Sequence, residues 1–329
     1  MTQEYRATVL GSGVCLPDKV LTNWDLERMV DTSDEWIYTR TGIRERRIAE
    51  DGMTTSDLGA EAARQALENA GVRPEEVSLI LVATITPDQV FPSTAAWIQT
   101  KIGAVNAGGC DISAACAGFV YALNLAADHV KNDPERCALV VGADILTKFV
   151  DFTDRASCIL FGDGAGAVVV RATNNGRGML SMRMGLDGRG ADIMTLPAGG
   201  SALPPSEETV RNRMHYVRLR GREVFKFAVT KMADLVSEAV RDCGQTLDDI
   251  KLIVPHQVNR RILTYAAERL GLPMEKIYCN IERYGNTTGA SVPIALHEAE
   301  QNGILEPGDL IVMVAFGAGL SWASCALRW

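Results

Sequence analysis

The chain has 329 residues, of which 47% are hydrophobic and 22% are charged, with a formal net charge of -8 at pH 7. A chain of this length can bury roughly three quarters of the surface of its extended form, so a sizeable core is available. The acidic balance argues against general nucleic-acid binding, and no apolar run approaches the roughly 20 residues that a bilayer span needs. We therefore expect a globular cytoplasmic protein with neither nucleic-acid nor membrane partners.

In chain order, apolar strand-like runs alternate with helical patterns. "SLILVAT" follows "LGAEAARQALENAG", "CALVVGAD" follows "FVYALNLAADHV", "IKLIVPHQ" follows "MADLVSEAVRDCG", and "DLIVMVAFGAG" comes near the end. Continuous apolar strands separated by amphipathic helices are typical of an α/β fold with buried strands. The sequence therefore predicts an α/β protein.

The two halves of the chain resemble each other at a constant offset of 173 positions. The matched pairs are Ala66 with Ala239, Gly71 with Gly244, Leu79 with Leu252, Ile80 with Ile253, Ala122 with Ala295, Leu123 with Leu296, and Pro134 with Pro307. One offset shared by three separated elements indicates an internal duplication. We expect an N-terminal half over 1–173 and a C-terminal half over 174–329, with Cys116 opposite Gly289.

The chain has eight cysteines, and one of them has a distinctive setting. They show neither a CxxC motif nor a nearby histidine at metal spacing, so we expect no metal site and no disulfide framework. Cys116 lies in "DISAACAGFVYALNLAADHV", among small residues at the predicted start of a helix. The free N–H groups there favour a thiolate and lower a pKa that starts near ~8.5. These residues alone leave both a nucleophile and an inert core cysteine open.

A Gly- and Pro-rich excursion, "MGLDGRGADIMTLPAGGSALPPSEETV", separates the halves. Long loops often cover a site, although a surface insertion without function fits the composition equally well.

Three further motifs could contribute to chemistry. In "LIVPHQVNRRI" an apolar strand delivers His256 at its C-terminal end, where open α/β sheets place their sites. In "ERYGNTTGAS" Asn286 lies in a turn, and in "VAFGAGLSW" glycines after a strand allow backbone N–H groups to face an oxyanion. A structural histidine, a turn-shaping asparagine and ordinary turn glycines are the open alternatives.

Together these motifs closely resemble those of the beta-ketoacyl-ACP synthase III family, the initiating condensing enzymes of type II fatty acid synthesis in the thiolase superfamily. The match extends through "TSDEWIYTRTGI", "FPSTAAWIQ" and "TDRASCILFGDGAGA". The resemblance implies a thiolase-like fold, internally duplicated and five-layered α-β-α-β-α, and it implies a homodimer.

The resemblance also implies a reaction, in which a short acyl-CoA condenses with malonyl-ACP, with loss of carbon dioxide, to give a 3-ketoacyl-ACP and CoA. Cys116 would carry the acyl group, His256 and Asn286 would handle the malonyl unit, and the N–H groups of Cys116 and Ala318 would form the oxyanion hole. No cofactor is implied. A polyketide-type starter ketosynthase, an acyltransferase of secondary metabolism and a non-catalytic acyl-carrier-binding protein are the alternatives.

Further roles follow from the same resemblance. Trp36 and Arg155 match positions that sandwich the CoA adenine, Arg40 matches a CoA contact, and Phe91 matches a residue that reaches into the partner subunit's acyl pocket. Positions that dock acyl carrier protein are matched by Lys226, Gln257, Val258, Asn259, Arg260 and Arg261. Two positions depart from the pattern: Ala318 where many relatives have glycine, and Arg222 where some have asparagine.

Overall fold

The computed structural model describes residues 5–131 and 133–329. Its strands are β1 (Arg6–Cys15), β2 (Val20–Thr22), β3 (Glu45–Arg47), β4 (Leu79–Ala83), β5 (Gly108–Ile112), β6 (Cys137–Asp144), β7 (Gly164–Thr173), β8 (Gly178–Leu186), β9 (Met194–Thr195), β10 (Arg218–Leu219), β11 (Ile250–Pro255), β12 (Leu310–Gly317) and β13 (Ser321–Arg328).

The α-helices are α1 (Asn23–Glu27), α2 (Asp34–Thr41), α3 (Thr55–Ala70), α4 (Thr94–Ile102), α5 (Gly118–Val130), α6 (Arg155–Cys158), α7 (Glu207–Arg211), α8 (Gly221–Asp242), α9 (Arg260–Leu270), α10 (Ile281–Tyr284) and α11 (Ser291–Gln301). Short 3₁₀ turns span Pro74–Glu76, Ala115–Ala117, Leu146–Phe149, Gly188–Gly190, Met274–Lys276 and Thr288–Ala290.

Two larger sheets organise the molecule. The first has the strand order β1-β7-β6-β4-β5, with β4 parallel to both β5 and β6. The second has the order β11-β12-β13-β8, with β11 parallel to β12. A fifth strand of the second sheet is reduced to a single parallel bridge between Ile253 and Ile277. The strands of the first sheet end at Thr173 and those of the second begin at Gly178, so the predicted boundary falls between β7 and β8.

The sheets are covered on both faces, which explains their continuous apolar sequences. Alternate residues of β4 point to opposite sides: Leu81 packs in a central core with α5 and α11, whereas Ile80 and Val82 pack against α3 and α4. The outer face of the second sheet packs against α8 and α9. The order of layers is helix, sheet, helix, sheet, helix, which confirms the predicted α/β, five-layered fold.

The duplication extends to the turns beside the central helices. β6 and β12 lie 173 positions apart, as do the Ala115–Ala117 and Thr288–Ala290 turns and the first residues of α5 and α11. Ala115 and Thr288 share an unusual backbone conformation, each with a φ of 48°. The two turns contact each other at the centre of the molecule.

Across residues 5–131 and 133–329, no helix is both long and apolar enough to span a membrane.

Candidate active site

Cys116 lies in the turn between β5 and α5. The turn runs from Ala115 to Ala117 and α5 begins at Gly118, where an added Cβ would lie 3.0 Å from the Cβ of Ala83, a tight contact. No side chain caps the N-terminus of α5, so its free N–H groups are not claimed by a capping group. The predicted location of Cys116 at the start of a helix is confirmed, and its side chain is 4% exposed.

The protonation state of Cys116 differs from the expectation. Burial raises the pKa of the thiol to about 12, and the nearby carboxylate of Asp144 acts in the same direction, while the backbone N–H of Cys116 opposes them. The prediction of a lowered pKa is therefore wrong, because desolvation outweighs the helix terminus. The resting group is a neutral thiol.

His256 follows β11 and is 1% exposed. Burial lowers the pKa of its imidazole to about 3, so the ring is neutral near pH 7. Its Nδ1 lies 2.6 Å from Ser291 Oγ, and that oxygen also accepts from the N–H of Gln257 at 3.4 Å. When the serine hydroxyl donates to Nδ1, the ring proton lies on Nε2, and Nε2 is then the donor toward a ligand.

Asn286 is held from both its backbone and its side chain. Its N–H donates to Leu160 O at 2.8 Å, and its carbonyl accepts from the N–H of Gly162 at 3.0 Å. The side-chain Oδ1 accepts from the N–H of Thr288 at 2.9 Å. Because Oδ1 is occupied in this way, the Nδ2 group is the part of the amide that can donate to a ligand.

Two cavities meet at the cysteine. The first, of about 190 Å³, is lined by Cys116, His256 and Asn286 together with mainly apolar side chains. The second, of about 290 Å³, lies beside Ala318 and Thr288. Residues common to both linings are Cys116, Phe161 and Met194. Met194 belongs to the Gly- and Pro-rich excursion, which therefore does cover a site.

The glycine-bearing loop after β12 approaches the cysteine closely. A Cβ placed on Gly317 would lie 2.6 Å from the backbone nitrogen of Cys116, a distance that real side chains do not tolerate. The next residue, Ala318, lines the second cavity beside Cys116, and its carbonyl accepts from Ser321 Oγ at 3.0 Å. The two residues predicted to supply the oxyanion hole thus line the same cavity.

The residues predicted to contact CoA form a cluster outside the linings of the two cavities. The guanidinium carbons of Arg40 and Arg155 lie 4.3 and 4.6 Å from the centroid of the Trp36 ring. Arg155 also donates to the carbonyl of Asp31 at 2.7 Å. With Arg155 already on the Trp36 ring, an adenine can stack between them only after the guanidinium moves aside.

The residues predicted to dock acyl carrier protein fall into three groups. Lys226, Arg260 and Arg261 are exposed, whereas Val258 and Asn259 are half-buried and line the first cavity. Gln257 is 1% exposed, and its amide donates to Pro255 O and Tyr278 O and accepts from Asn280 N. The Gln257 side chain is therefore not part of an exposed docking surface, and that prediction is corrected.

Phe91 is 81% exposed and lies outside the linings of both cavities within this single chain. Arg222 is exposed at the start of α8, next to Gly221, which lines the first cavity. Within the described ranges, no three His, Cys, Asp or Glu side chains come together as metal ligands would.

The sequence reasoning missed two supporting residues. Ser291 orients His256, and Asp144 accepts hydrogen bonds from the Thr288–Gly289 turn next to Asn286. Ser291 ends the quoted motif "YGNTTGAS", but nothing in the sequence shows that it faces a histidine 35 positions away. Asp144 could have been noticed through the duplication, since it is the counterpart of Gly317.

A buried thiol between two cavities, beside a neutral imidazole and an amide, in a duplicated five-layered fold defines a thiolase-fold acyltransferase of the condensing type. Family models described as 3-oxoacyl-[acyl-carrier-protein (ACP)] synthase III and its C-terminal region match residues 110–188 and 240–329. The chain belongs to the beta-ketoacyl-ACP synthase III family.

Individual relatives match along the whole chain. The beta-ketoacyl-[acyl-carrier-protein] synthase III of Caldanaerobacter subterraneus subsp. tengcongensis is 50% identical over 100% of this chain and 99% of its own. The crystal structure of 3-oxoacyl-[acyl-carrier-protein] synthase III from Aquifex aeolicus VF5 is 44% identical, with a TM-score of 0.91 over 98% of this chain and 100% of its own. The priming beta-ketosynthase from the R1128 polyketide biosynthetic pathway is 37% identical, with a TM-score of 0.91 over 100% of this chain and 97% of its own.

Proposed function

We propose that the protein condenses a short acyl-CoA with malonyl-ACP, releasing carbon dioxide and CoA and forming a 3-ketoacyl-ACP. The observation that carries this proposal is the position of Cys116 at the junction of two cavities, one of which also holds His256 and Asn286. An acyl group on the sulfur can extend into the second cavity, while the first stays open for the second substrate.

In the first half-reaction, the sulfur of Cys116 attacks the thioester carbon of the acyl-CoA. The C–S bond to CoA breaks, CoA leaves as its thiol, and the proton it gains balances the one that Cys116 loses. The tetrahedral oxyanion is stabilised by the N–H groups of Cys116 and Ala318, and removing one such donor typically costs about 3 kcal/mol.

In the second half-reaction, the malonyl thioester loses its carboxylate as carbon dioxide, and the electron pair moves onto the thioester as an enolate. Two neutral donors, His256 Nε2–H and Asn286 Nδ2–H, stabilise the enolate oxygen. The enolate carbon then attacks the acyl carbonyl on Cys116, the C–S bond breaks, and the sulfur leaves as a thiolate. A proton taken from water then restores the thiol. A donor that stays neutral is suited to this step, because it does not protonate the carbanion before it attacks.

The remaining roles are proposals of the same kind. Trp36, Arg40 and Arg155 would hold the nucleotide end of CoA, and the exposed Lys226, Arg260 and Arg261 would meet the acidic carrier protein. The protein would act as a homodimer in the cytoplasm, with halves over 1–173 and 174–329. The chemistry transfers acyl groups without a change of oxidation state, so it requires no redox cofactor.

The test is a panel of acyl-CoA starters incubated with the purified protein and malonyl-ACP, read by the masses of the carrier-protein products. We expect 3-ketoacyl-ACP from at least one short starter with equimolar carbon dioxide. Cys116→Ala should form none, and Ser113→Ala, beside it in the second cavity, is the control that keeps the nucleophile. Absence of both products from every starter would contradict the proposal.

A second candidate is a polyketide-type starter ketosynthase, which is supported by the match to the R1128 priming beta-ketosynthase at 37% identity. A third is an acyltransferase of secondary metabolism. An acyltransferase would move acyl groups without decarboxylation, so it would not need Asn286. Retention of full turnover in Asn286→Ala, with loss in Cys116→Ala, would select the acyltransferase.

A further inference from the structure

Asp144 is a buried carboxylate at the end of β6 that the two half-reactions above do not use. Its Oδ1 accepts from the hydroxyls of Thr84 and Thr86 and from the N–H groups of Ile85 and Thr86, at 2.9 to 3.2 Å. Its Oδ2 accepts from Thr288 Oγ1 and from the N–H of Gly289, the latter at 3.1 Å. The carboxylate therefore joins the end of β4 to the Thr288–Ala290 turn.

The turn that Asp144 holds is the one that fixes the amide of Asn286. Thr288 has a φ of 48°, a conformation that β-branched residues rarely adopt, so the turn needs support from its surroundings. From that conformation the N–H of Thr288 donates to Asn286 Oδ1. The two hydrogen bonds to Asp144 Oδ2 thus hold the turn in the conformation in which Thr288 N–H donates to Asn286 Oδ1. This leaves Asn286 Nδ2 as the donor for a ligand in the cavity.

The duplication gives an independent view of the same arrangement. Gly289 is the counterpart of Cys116, and Asp144, the last residue of β6, is the counterpart of Gly317, the last residue of β12. At the turn of the C-terminal half, the Asp144 carboxylate lies beside the N–H of Gly289. At the turn of the N-terminal half, no side chain takes the equivalent position beside the N–H of Cys116, because Gly317 has none and a Cβ there would meet the Cys116 nitrogen.

We propose that Asp144 is a positioning residue for Asn286. Its carboxylate accepts a hydrogen bond from the N–H of Gly289 and so directs the Asn286 amide toward the malonyl thioester. The equivalent N–H of Cys116 stays available to the reaction oxyanion. This inference rests on the proposed condensation. It assigns Asp144 to the second half-reaction and not to the first.

The test is Asp144→Asn, with the two half-reactions measured separately. If the side-chain oxygen of the new asparagine still accepts from the donors at the end of β4, its NH2 group faces the N–H of Gly289. Two donors cannot form a hydrogen bond, so this contact with the turn is lost. We expect decarboxylation of malonyl-ACP by the acylated enzyme to fall about 100-fold, as for loss of one transition-state donor. Acylation by acetyl-CoA or isobutyryl-CoA, followed by intact mass, should be at least as fast as in the wild type.

Thr288→Val provides a second route to the same result. It removes the hydroxyl that donates to Asp144 but keeps the N–H that donates to Asn286, and Thr288→Ser is the matched control that retains the hydroxyl. We expect Thr288→Val to lose decarboxylation selectively, and we expect Thr288→Ser to lose much less decarboxylation than Thr288→Val. Combining Asp144→Asn with Asn286→Ala should cost no more than Asn286→Ala alone, because both act on one group.

Two results would overturn the proposal. One is decarboxylation at the wild-type rate in a folded Asp144→Asn or Thr288→Val protein; the other is an equal loss of both half-reactions in folded Thr288→Val. Lack of turnover in the wild type itself would instead remove the proposed condensation, so the two failures are distinguishable.

Discussion

At the scale of single residues, burial decides the charge of each group in the cavity. It keeps the thiol of Cys116 protonated and the imidazole of His256 unprotonated, and the amide of Asn286 carries no charge at any pH. The site is thus built from neutral donors in a mainly apolar cavity, where a hydrogen bond to a developing negative charge is stronger than in water.

The raised pKa of Cys116 predicts how its reactivity depends on pH. A group whose pKa is raised to about 12 is almost entirely thiol at pH 7, and its thiolate fraction grows about tenfold per pH unit below that pKa. Iodoacetamide alkylation of Cys116, followed by peptide mass spectrometry, should therefore keep accelerating from pH 7 to pH 10. A rate that levels off between pH 6 and pH 8 would show a low thiol pKa instead.

Ser291 should matter through the tautomer of His256. Ser291→Ala removes the hydroxyl proton directed at Nδ1, so the ring proton is no longer confined to Nε2. We expect decarboxylation to fall about tenfold or more, while acylation of Cys116 is preserved. Ser324→Ala, which removes a buried serine hydroxyl that has no hydrogen-bond partner in the structure, is the control for the loss of such a group. Equal decarboxylation rates in Ser291→Ala and the wild type would refute this role.

At the scale of elements, the repeated turn beside a central helix is the unit that builds the site. One copy carries Cys116, the other carries Gly289 beside Asn286, and each faces the last residue of a central strand. β12 also approaches the Cys116 turn closely, and Gly317 leaves no space there for a side chain.

Gly317→Ala tests that close approach. The added methyl would lie 2.6 Å from Cys116 N and 3.1 Å from the Cβ of Ala115, so the turn must shift. We expect a loss of about 1–3 kcal/mol in the free energy of unfolding, typical of overpacking, and a strong loss of acylation. Gly188→Ala, where no atom lies within 4 Å of the new Cβ, should change neither quantity. Unchanged acylation in Gly317→Ala would contradict this geometry.

Much of this element-scale arrangement could be predicted from the sequence. The 173-residue offset and the continuous apolar strands identify the halves and their layers, because periodicity and repetition are local properties of the chain. Contacts between distant segments could not be predicted in this way. The burial of Gln257, the placement of Arg155 on Trp36 and the pairing of Ser291 with His256 all depend on packing between separate elements.

At the scale of the whole molecule, an edge strand and several apolar side chains are exposed in the single chain. β5 is an edge strand with exposed residues from Gly108 to Cys110, and Val90 and Phe91 are among the most exposed apolar side chains of the described residues. Exposed edge strands and apolar side chains are features that proteins cover by association. They fit the proposed homodimer, in which Phe91 would enter the partner subunit's acyl cavity.

Phe91→Ala tests that assembly and its effect on the starter. We expect the wild type to elute as a dimer, with a mass from light scattering equal to two chains. We expect Phe91→Ala to accept bulkier acyl-CoA starters, because its aromatic ring no longer occupies part of the partner subunit's acyl cavity. Val210→Ala, an exposed apolar residue on α7, serves as the control and should leave the starter range unchanged. A monomeric wild type, or an identical starter range in Phe91→Ala, would contradict the prediction.

The central claim is that one acyl group on Cys116 is consumed by one decarboxylated malonyl unit. The direct measurement is a single turnover. Protein that has been acylated by acyl-CoA and freed of CoA is mixed with malonyl-ACP that is labelled at its free carboxylate. The intact mass of the protein and the release of labelled carbon dioxide are followed together. We expect the acyl adduct on Cys116 to disappear at the rate at which labelled carbon dioxide appears, one for one, with 3-ketoacyl-ACP as product. An adduct that persists while carbon dioxide is released, or that discharges without any release, would contradict it.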